Sequence, residues 1–253
     1  MSHFIETTIG NIAVFQKRSD SHQTPIIFLH GVYFDHHLWD KVTYSIQDRS
    51  IFLIDMPFHG LSKELTKEDW TLNDCAEMLL EVLDRLQTNK VIAVGHSWGS
   101  MTIVRAASKQ PERFESVLLC NMPFREATKK QRLMFGLQHP MLTFRNFYTK
   151  QTAKALFGKT SLKKNPTLIN DLERPMNLLS NAQIKKTDEA VIANADDASE
   201  LIRNLKVRAI ALRGRDDYVP VPPTTETITV DGGHISPLEQ PQEVLDAIKS
   251  LLY

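Results

Sequence analysis

The chain has 253 residues and a mass of 28.9 kDa, a length that suits one domain carrying an insertion as well as it suits two. Lys plus Arg and Asp plus Glu each total 30, and zero net charge with a pI near 7.1 excludes a dedicated nucleic-acid binder, which needs a basic face for the phosphate backbone. Hydrophobic residues make up 42%, enough for a proper core, which excludes a disordered, collagenous or low-complexity chain.

In chain order, two alternating segments at 4–8 and 12–17 flank Gly10-Asn11, predicting an antiparallel hairpin closed by a two-residue turn. Short apolar runs follow at 26–29, 51–54, 91–94, 117–119, 207–212 and 227–230. Rich in β-branched residues, they predict buried strands of a parallel sheet. Between them, residues 72–86 carry an apolar stripe of helical period, and 100–109 and 242–252 predict two further helices. Strand–helix alternation of this kind argues for an α/β fold, a mostly parallel central sheet with helices on both faces.

Residues 121–200 break the alternation, with helical patches and no convincing strand. They predict a helical insertion between core segments 1–120 and 201–253. Within it, residues 125–165 hold ten Lys or Arg against one acid, Glu126, a local charge of +9 interleaved with Phe135, Phe144, Phe147, Tyr148 and Phe157.

Cys75 and Cys120 are too few for a disulfide framework and predict reduced, buried thiols. Residues 1–23 lack the apolar region of a signal peptide, and no apolar run approaches the ~18 residues of a membrane span, so the expectation is a cytoplasmic protein.

The chemistry concentrates at Val91-Ile92-Ala93-Val94-Gly95-His96-Ser97-Trp98-Gly99, an apolar strand running through G-x-S-x-G into a helix. This is the setting of a nucleophile elbow, a turn too tight for side chains at the glycines, which pushes the Ser97 hydroxyl out at the strand's C-terminal end. A serine hydroxyl is a weak nucleophile at neutral pH and needs a histidine base with an acid to orient it. His234 follows the last strand in Asp231-Gly232-Gly233-His234, and Arg213-Gly214-Arg215-Asp216-Asp217 follows the strand before it.

Together with Leu29-His30-Gly31, the run 55–62 (DMPFHGLS) and Glu239-Gln240-Pro241, these motifs make nearly the whole chain resemble an α/β-hydrolase with an inserted cap, in the serine esterase, enol-lactonase and carbon–carbon hydrolase branch. The resemblance implies a catalytic triad of Ser97, an aspartate and His234. It also implies an oxyanion hole made by the backbone amides of Val32 and Trp98. The substrate pocket is expected beside His30, Gly31, Met122 and Phe124, with the Trp98 ring as a further wall.

The family spacing is one residue short at the acid. Counting from Gly214 selects Asp217 and counting back from Pro220 selects Asp216; we favour Asp217 because the strand end sets where the loop begins. No acid stands at Asn121, where some relatives keep theirs, which strengthens that choice. Residues 218–225 leave no room for the usual helix, so the chain crosses extended, or the last strand is displaced, or a stretch present in relatives is missing here. Phe58 replaces the family's glycine. His30, His36, His37 and His59 lack the carboxylate or cysteine spacing of a metal site and are expected to be structural, as is His96.

No cofactor is implied. The expected activity is carboxylic ester hydrolysis through an acyl-enzyme. A carbon–carbon hydrolase, an enol-lactonase or a proline iminopeptidase-like enzyme are the alternatives, and a ligand receptor of the same fold is the non-enzymatic one. The basic stretch points to an anionic substrate with an apolar acyl part, or to an acyl group on an acidic carrier protein.

Overall fold

The apolar runs pair into one eight-stranded sheet. A computed structural model describes residues 2–17 and 22–252. Its strands are β1 (Ser2–Glu6), β2 (Asn11–Gln16), β3 (Ile26–Leu29), β4 (Ile51–Ile54), β5 (Val91–His96), β6 (Phe114–Cys120), β7 (Arg208–Gly214) and β8 (Glu226–Val230), in the spatial order β1-β2-β4-β3-β5-β6-β7-β8. From β4 to β8 every pairing is parallel, and the β1-β2 hairpin adds antiparallel to β4 at one edge. β3, β4 and β5 are buried along their whole length, as strands covered on both faces must be.

The covering helices before and within the sheet are α1 (Asp40–Thr43), α2 (Leu72–Arg85) and α3 (Trp98–Lys109). α2 starts at a capping box, in which the Thr71 hydroxyl accepts from the Asp74 amide and the Asp74 carboxylate accepts from the Thr71 amide at 2.8 Å. Its apolar stripe then packs on α3.

Between β6 and β7 the chain forms α4 (Lys129–Gln138), α5 (Arg145–Leu156), α6 (Lys159–Lys164), α7 (Leu168–Met176), α8 (Asn181–Asp188) and α9 (Ser199–Arg203), with no strand among the described residues. α10 (Ser236–Glu239) and α11 (Pro241–Leu251) close the chain, α11 packing on α1 and β6. Side-chain ion pairs tie the α4–α9 segment to the sheet's surroundings. Arg174 holds Asp35 with two contacts of 3.2 Å, Lys186 reaches Glu68 at 2.7 Å, and buried Arg105 pairs with Asp196.

One expectation changes and one open choice narrows. The hairpin turn is not Gly10-Asn11: Thr7 and Gly10 exchange backbone hydrogen bonds of 3.0 and 3.1 Å, and Asn11 already pairs with Glu6 in the ladder. Ile9 is drawn into the core, which shifts the loop to residues 7–10, and Gly10 takes φ +142° where a Cβ would meet the Glu64 carbonyl at 2.4 Å. At the other edge, β8 lies directly beside β7 in parallel register from Ile210↔Glu226 to Gly214↔Val230, so the last strand is not displaced. Residues 215–225 make that crossover without a helix, Val219 among them being buried.

Phe58 sits at φ +67°, a conformation that suits the glycine it replaces, and its ring packs against Trp70 at 6.2 Å. Cys75 and Cys120 are free and fully buried, and burial pushes both thiols up out of their reactive range. No helix among the described residues is long and apolar enough to cross a membrane.

Candidate active site

In a parallel sheet, ligands bind where neighbouring strands send their connections to opposite sides. Here that point is the C-terminal end of β3 and β5, with β4 on one side and β6 on the other. Leu29 pairs with Gly95, so the loop after β3 is laid against the turn after β5.

That turn is as tight as the motif requires. Ser97 has φ +50° and ψ −110°, a sparsely populated conformation costing on the order of 1–3 kcal/mol, held because its surroundings leave no alternative. A Cβ on Gly99 would stand 2.2 Å from the Leu29 carbonyl oxygen, and one on Gly95 2.4 Å from the Ser100 amide. The Ser97 amide donates to the Cys120 carbonyl at 2.8 Å, anchoring the turn to β6, and its carbonyl accepts from Met101 as α3 begins.

Side chains from three different strand ends meet there. Ser97 Oγ lies 3.0 Å from His234 Nε2, and His234 Nδ1 lies 2.9 Å from Asp217 Oδ1. An ionised carboxylate only accepts, so Asp217 fixes the ring proton on Nδ1 and leaves Nε2 free to accept from the serine. Burial would raise the Asp217 carboxyl, but the His234 ring, the Asn121 side-chain amide at 2.7 Å and the Val219 amide at 3.1 Å outweigh it and hold it below the ordinary carboxylate value. Asp216, the other candidate, is exposed, and its amide is spent on the Gly232 carbonyl at 2.9 Å.

The His234 backbone is pinned from three directions. Its amide donates to the Leu156 carbonyl at 2.6 Å, and its carbonyl accepts from His96 Nε2 at 2.8 Å. Burial lowers the His96 pKa to about 3, so the ring is a neutral donor and serves structure. The Glu239 carboxylate accepts from the amides of Gly158, Gly233 and Ile235 at 2.9, 2.9 and 3.1 Å, tying the end of α5 to the histidine loop.

The Trp98 amide lies in the first turn of α3, where a helix offers no internal acceptor, and the Val32 amide finds no acceptor among the described residues. Gly31 brings this loop close, since a Cβ there would touch His96 Nδ1 at 2.5 Å and Ser97 Cβ at 3.1 Å.

Two of the residues expected beside the pocket are fully buried in the core. The Trp98 ring is fully buried, stacked on Trp70 at 5.1 Å and edge-on to His59, because the first helical residue after the elbow points back into the core. His30 is also fully buried, its Nδ1 donating to Gly31 O at 2.8 Å and its Nε2 accepting from the Met56 amide at 2.9 Å. His59 is similarly engaged with Pro57 and Tyr33, and burial lowers His30 and His59 to about 3 and 4, leaving both neutral scaffold rings. Met122 and Phe124 follow β6 and are almost fully buried.

Two residues at the site escaped sequence reasoning. In the sequence Asn121 stands out only as a missing acid, yet its amide links the Asp217 carboxylate to the Gly233 carbonyl, at 2.7 and 3.2 Å. Its position at the end of β6 was the available signal. Tyr218 stacks on the His234 ring at 4.7 Å with its hydroxyl 3.5 Å from Nε2, and nothing in the sequence distinguished it from any loop tyrosine.

Comparison with known proteins agrees with this architecture. An uncharacterized hydrolase of Bacillus subtilis is 22% identical over 97% of this chain and 96% of its own. A thermophilic esterase of Thermogutta terrifontis superposes with a TM-score of 0.83 at 21% identity, covering 100% of this chain and 98% of the other. The enol-lactonase of Burkholderia xenovorans LB400 superposes with a TM-score of 0.86 at 17% identity, covering 99% of both chains. Residues 24–173 match the family model of the alpha/beta hydrolase fold, and with the sheet order, the elbow and the strand-end loops all in agreement, the chain belongs to the alpha/beta hydrolase fold family.

Proposed function

We propose that this protein is a serine hydrolase of carboxylic esters, with Ser97 as nucleophile, His234 as general base and acid, and Asp217 as the acid that orients it. The observation that carries this assignment is the unbroken hydrogen-bonded chain from Ser97 Oγ through both His234 nitrogens to Asp217.

In the cycle that follows from this geometry, His234 Nε2 takes the Ser97 proton as Oγ attacks the ester carbonyl. The developing oxyanion faces the amides of Val32 and Trp98, donors of a kind whose loss costs ~10²–10³ in rate. Asp217 remains ionised and stabilises the imidazolium. The Nε2 proton then goes to the leaving alkoxide, and water, deprotonated by the same nitrogen, releases the acid from the acyl-enzyme.

The helical segment at 121–200 acts as a cap over the strand ends, with Met122 and Phe124 as apolar surroundings at its root. Nine of the ten basic residues in 125–165 are exposed, as are Phe144 and Phe147, so the positive charge faces outward rather than into the site. A carboxylate-bearing ester, or an acyl group delivered by an acidic carrier protein, is the partner this face suits, acting in the cytoplasm where the two thiols stay reduced.

An enol-lactone is a cyclic ester opened by the same chemistry and falls within the proposal. Incubation with p-nitrophenyl esters of graded chain length and with an activated phosphonate, alongside Ser97→Ala, tests it. We expect the variant to lose labelling and up to ~10⁶ in rate. Equal rates for both proteins overturn the enzyme assignment in favour of a ligand receptor.

A further inference from the structure

The loop that carries the Val32 amide is held in part from the helical segment between β6 and β7. Tyr33, the next residue, has φ +72°, a left-handed conformation that a bulky side chain adopts only when its surroundings impose it. Its amide donates to His59 Nε2 at 3.1 Å, which anchors the backbone to the core. Its hydroxyl donates to Asp188 Oδ1 at 2.7 Å, across 155 positions of sequence.

Asp188 is the last residue of α8 and is 1% exposed. A carboxylate buried to that degree needs partners, and its second oxygen meets His139 Nε2 at 3.2 Å while Tyr148 OH lies 3.4 Å from Tyr33 OH. Immediately after it the helix widens into a π-helical turn, Glu189–Ala193, an irregularity often found at functional positions. Two residues of the helical segment, Asp188 and Tyr148, thus converge on one tyrosine hydroxyl beside the oxyanion loop, and a third, His139, holds the Asp188 carboxylate from its other side.

We propose that Asp188 is a positioning residue for the Val32 amide, acting through the Tyr33 side chain. The inference rests on the serine-hydrolase assignment above and adds to it a dependence of the oxyanion site on the helical segment. An oxyanion donor works only within a narrow range, about 2.7–3.1 Å from the developing charge. With its hydroxyl anchored, Tyr33 stays in the left-handed region and the Gly31–Tyr33 loop keeps one shape. Without the anchor, the residue relaxes toward ordinary backbone angles and turns the adjoining peptides.

The test is steady-state hydrolysis of p-nitrophenyl acetate and butyrate by Tyr33→Phe, Asp188→Ala, Asp188→Asn and the Tyr33→Phe/Asp188→Ala double variant, each with its thermal midpoint. Tyr33→Phe removes a single oxygen and keeps the experiment decisive even if Asp188→Ala fails to fold. We expect Tyr33→Phe to lower kcat about 10-fold with KM within twofold, less than the loss of a whole donor. Asp188→Ala is expected to do the same, and the double variant to be no worse than either single one, since both remove one interaction. Asp188→Asn, whose amide oxygen still accepts from the tyrosine, should recover most of kcat. A Tyr33→Phe enzyme with wild-type kcat, additive losses, or an Asn variant no better than Ala overturns the proposal, whatever the thermal midpoints do. Wild type inactive on these esters and unlabelled by the phosphonate overturns the serine-hydrolase assignment and this inference with it.

Discussion

The sheet edge and the helical segment that follows β6 are built on different principles. At the edge, backbone lies against backbone: Gly99 touches the Leu29 carbonyl, and a Cβ on Gly214 would stand 2.0 Å from the Gly233 carbonyl oxygen. In the helical segment, apart from the stretch 156–158 that lies backbone to backbone against the His234 loop, side chains do most of the holding, and α4 and α6 bury none of theirs fully. α3, by contrast, buries every residue from Trp98 to Ala107. Backbone-to-backbone packing leaves no freedom for substitution, whereas side-chain pins such as Arg174–Asp35 leave the surface between them free to vary. Side chains on the edge therefore inherit a rigid frame, while the exposed face of the helical segment can change its charge and shape without disturbing that frame.

The largest effect is expected where the edge is most constrained. Asp217→Asn should lower kcat by ~10⁴, because an amide in place of the carboxylate allows the wrong tautomer of His234, whereas Asp216→Asn, exposed one residue away, should stay within twofold of wild type. Kinetics of the two variants on one soluble ester decide this, and the reverse order would move the acid to Asp216.

Residue for residue, a smaller effect comes from protons. His30, His59 and His96 are buried around the edge with pKa values lowered to about 3, 4 and 3, against an ordinary 6.5 in the unfolded chain. Below pH 6.5 the unfolded state binds protons that the folded state refuses. Stability is therefore complete above that pH and falls as pH drops toward 4, at about 1.4 kcal/mol per histidine per pH unit. Urea unfolding at pH 7.5, 6 and 5 checks it, and an unchanged midpoint across that range would contradict the neutral, buried rings.

The smallest effect belongs to α4. Leu133 is 63% exposed and Leu137 61%, so Leu133→Ser and Leu137→Ser should each change unfolding free energy by no more than about 0.5 kcal/mol. Charge reversal of Lys129, Lys130 and Arg132 to Glu should leave the fold intact and slow turnover of an anionic or carrier-bound ester at low salt. The difference should vanish as salt screens the face. Identical rates at every ionic strength would remove the anionic partner.

The strands and long helices were legible in sequence because each depends on a local pattern: unbroken β-branched runs for β3 to β5, a helical stripe for α2. The elbow was legible for the same reason, since its glycines and serine are adjacent in the chain and their spacing states the turn. The hairpin loop was misread because Ile9 joins the core, which a turn dipeptide cannot register.

The side chains that meet at the site were less accessible to sequence, in proportion to how far they travel. Ser97 and His234 are 137 residues apart yet announce themselves by motif, while the choice between Asp216 and Asp217 turns on how β7 and β8 align, a register that only the folded sheet sets. Trp98 was expected to line a pocket because it follows the nucleophile, and the helix that starts there points its ring into the core instead. Asn121 and Asp188 carry no local signature at all. Their roles arise where β6 ends beside β7, and where α8 ends above the loop after β3. Local patterns in this chain suffice for the sheet, the elbow and the strand-end positions of Ser97 and His234, because short-range sterics and burial periodicity dictate them. The placement of Asp217, of Asn121 beside it and of the Tyr33 hydroxyl was decided by tertiary packing, because each depends on a hydrogen bond a few ångströms long between atoms that the chain keeps far apart.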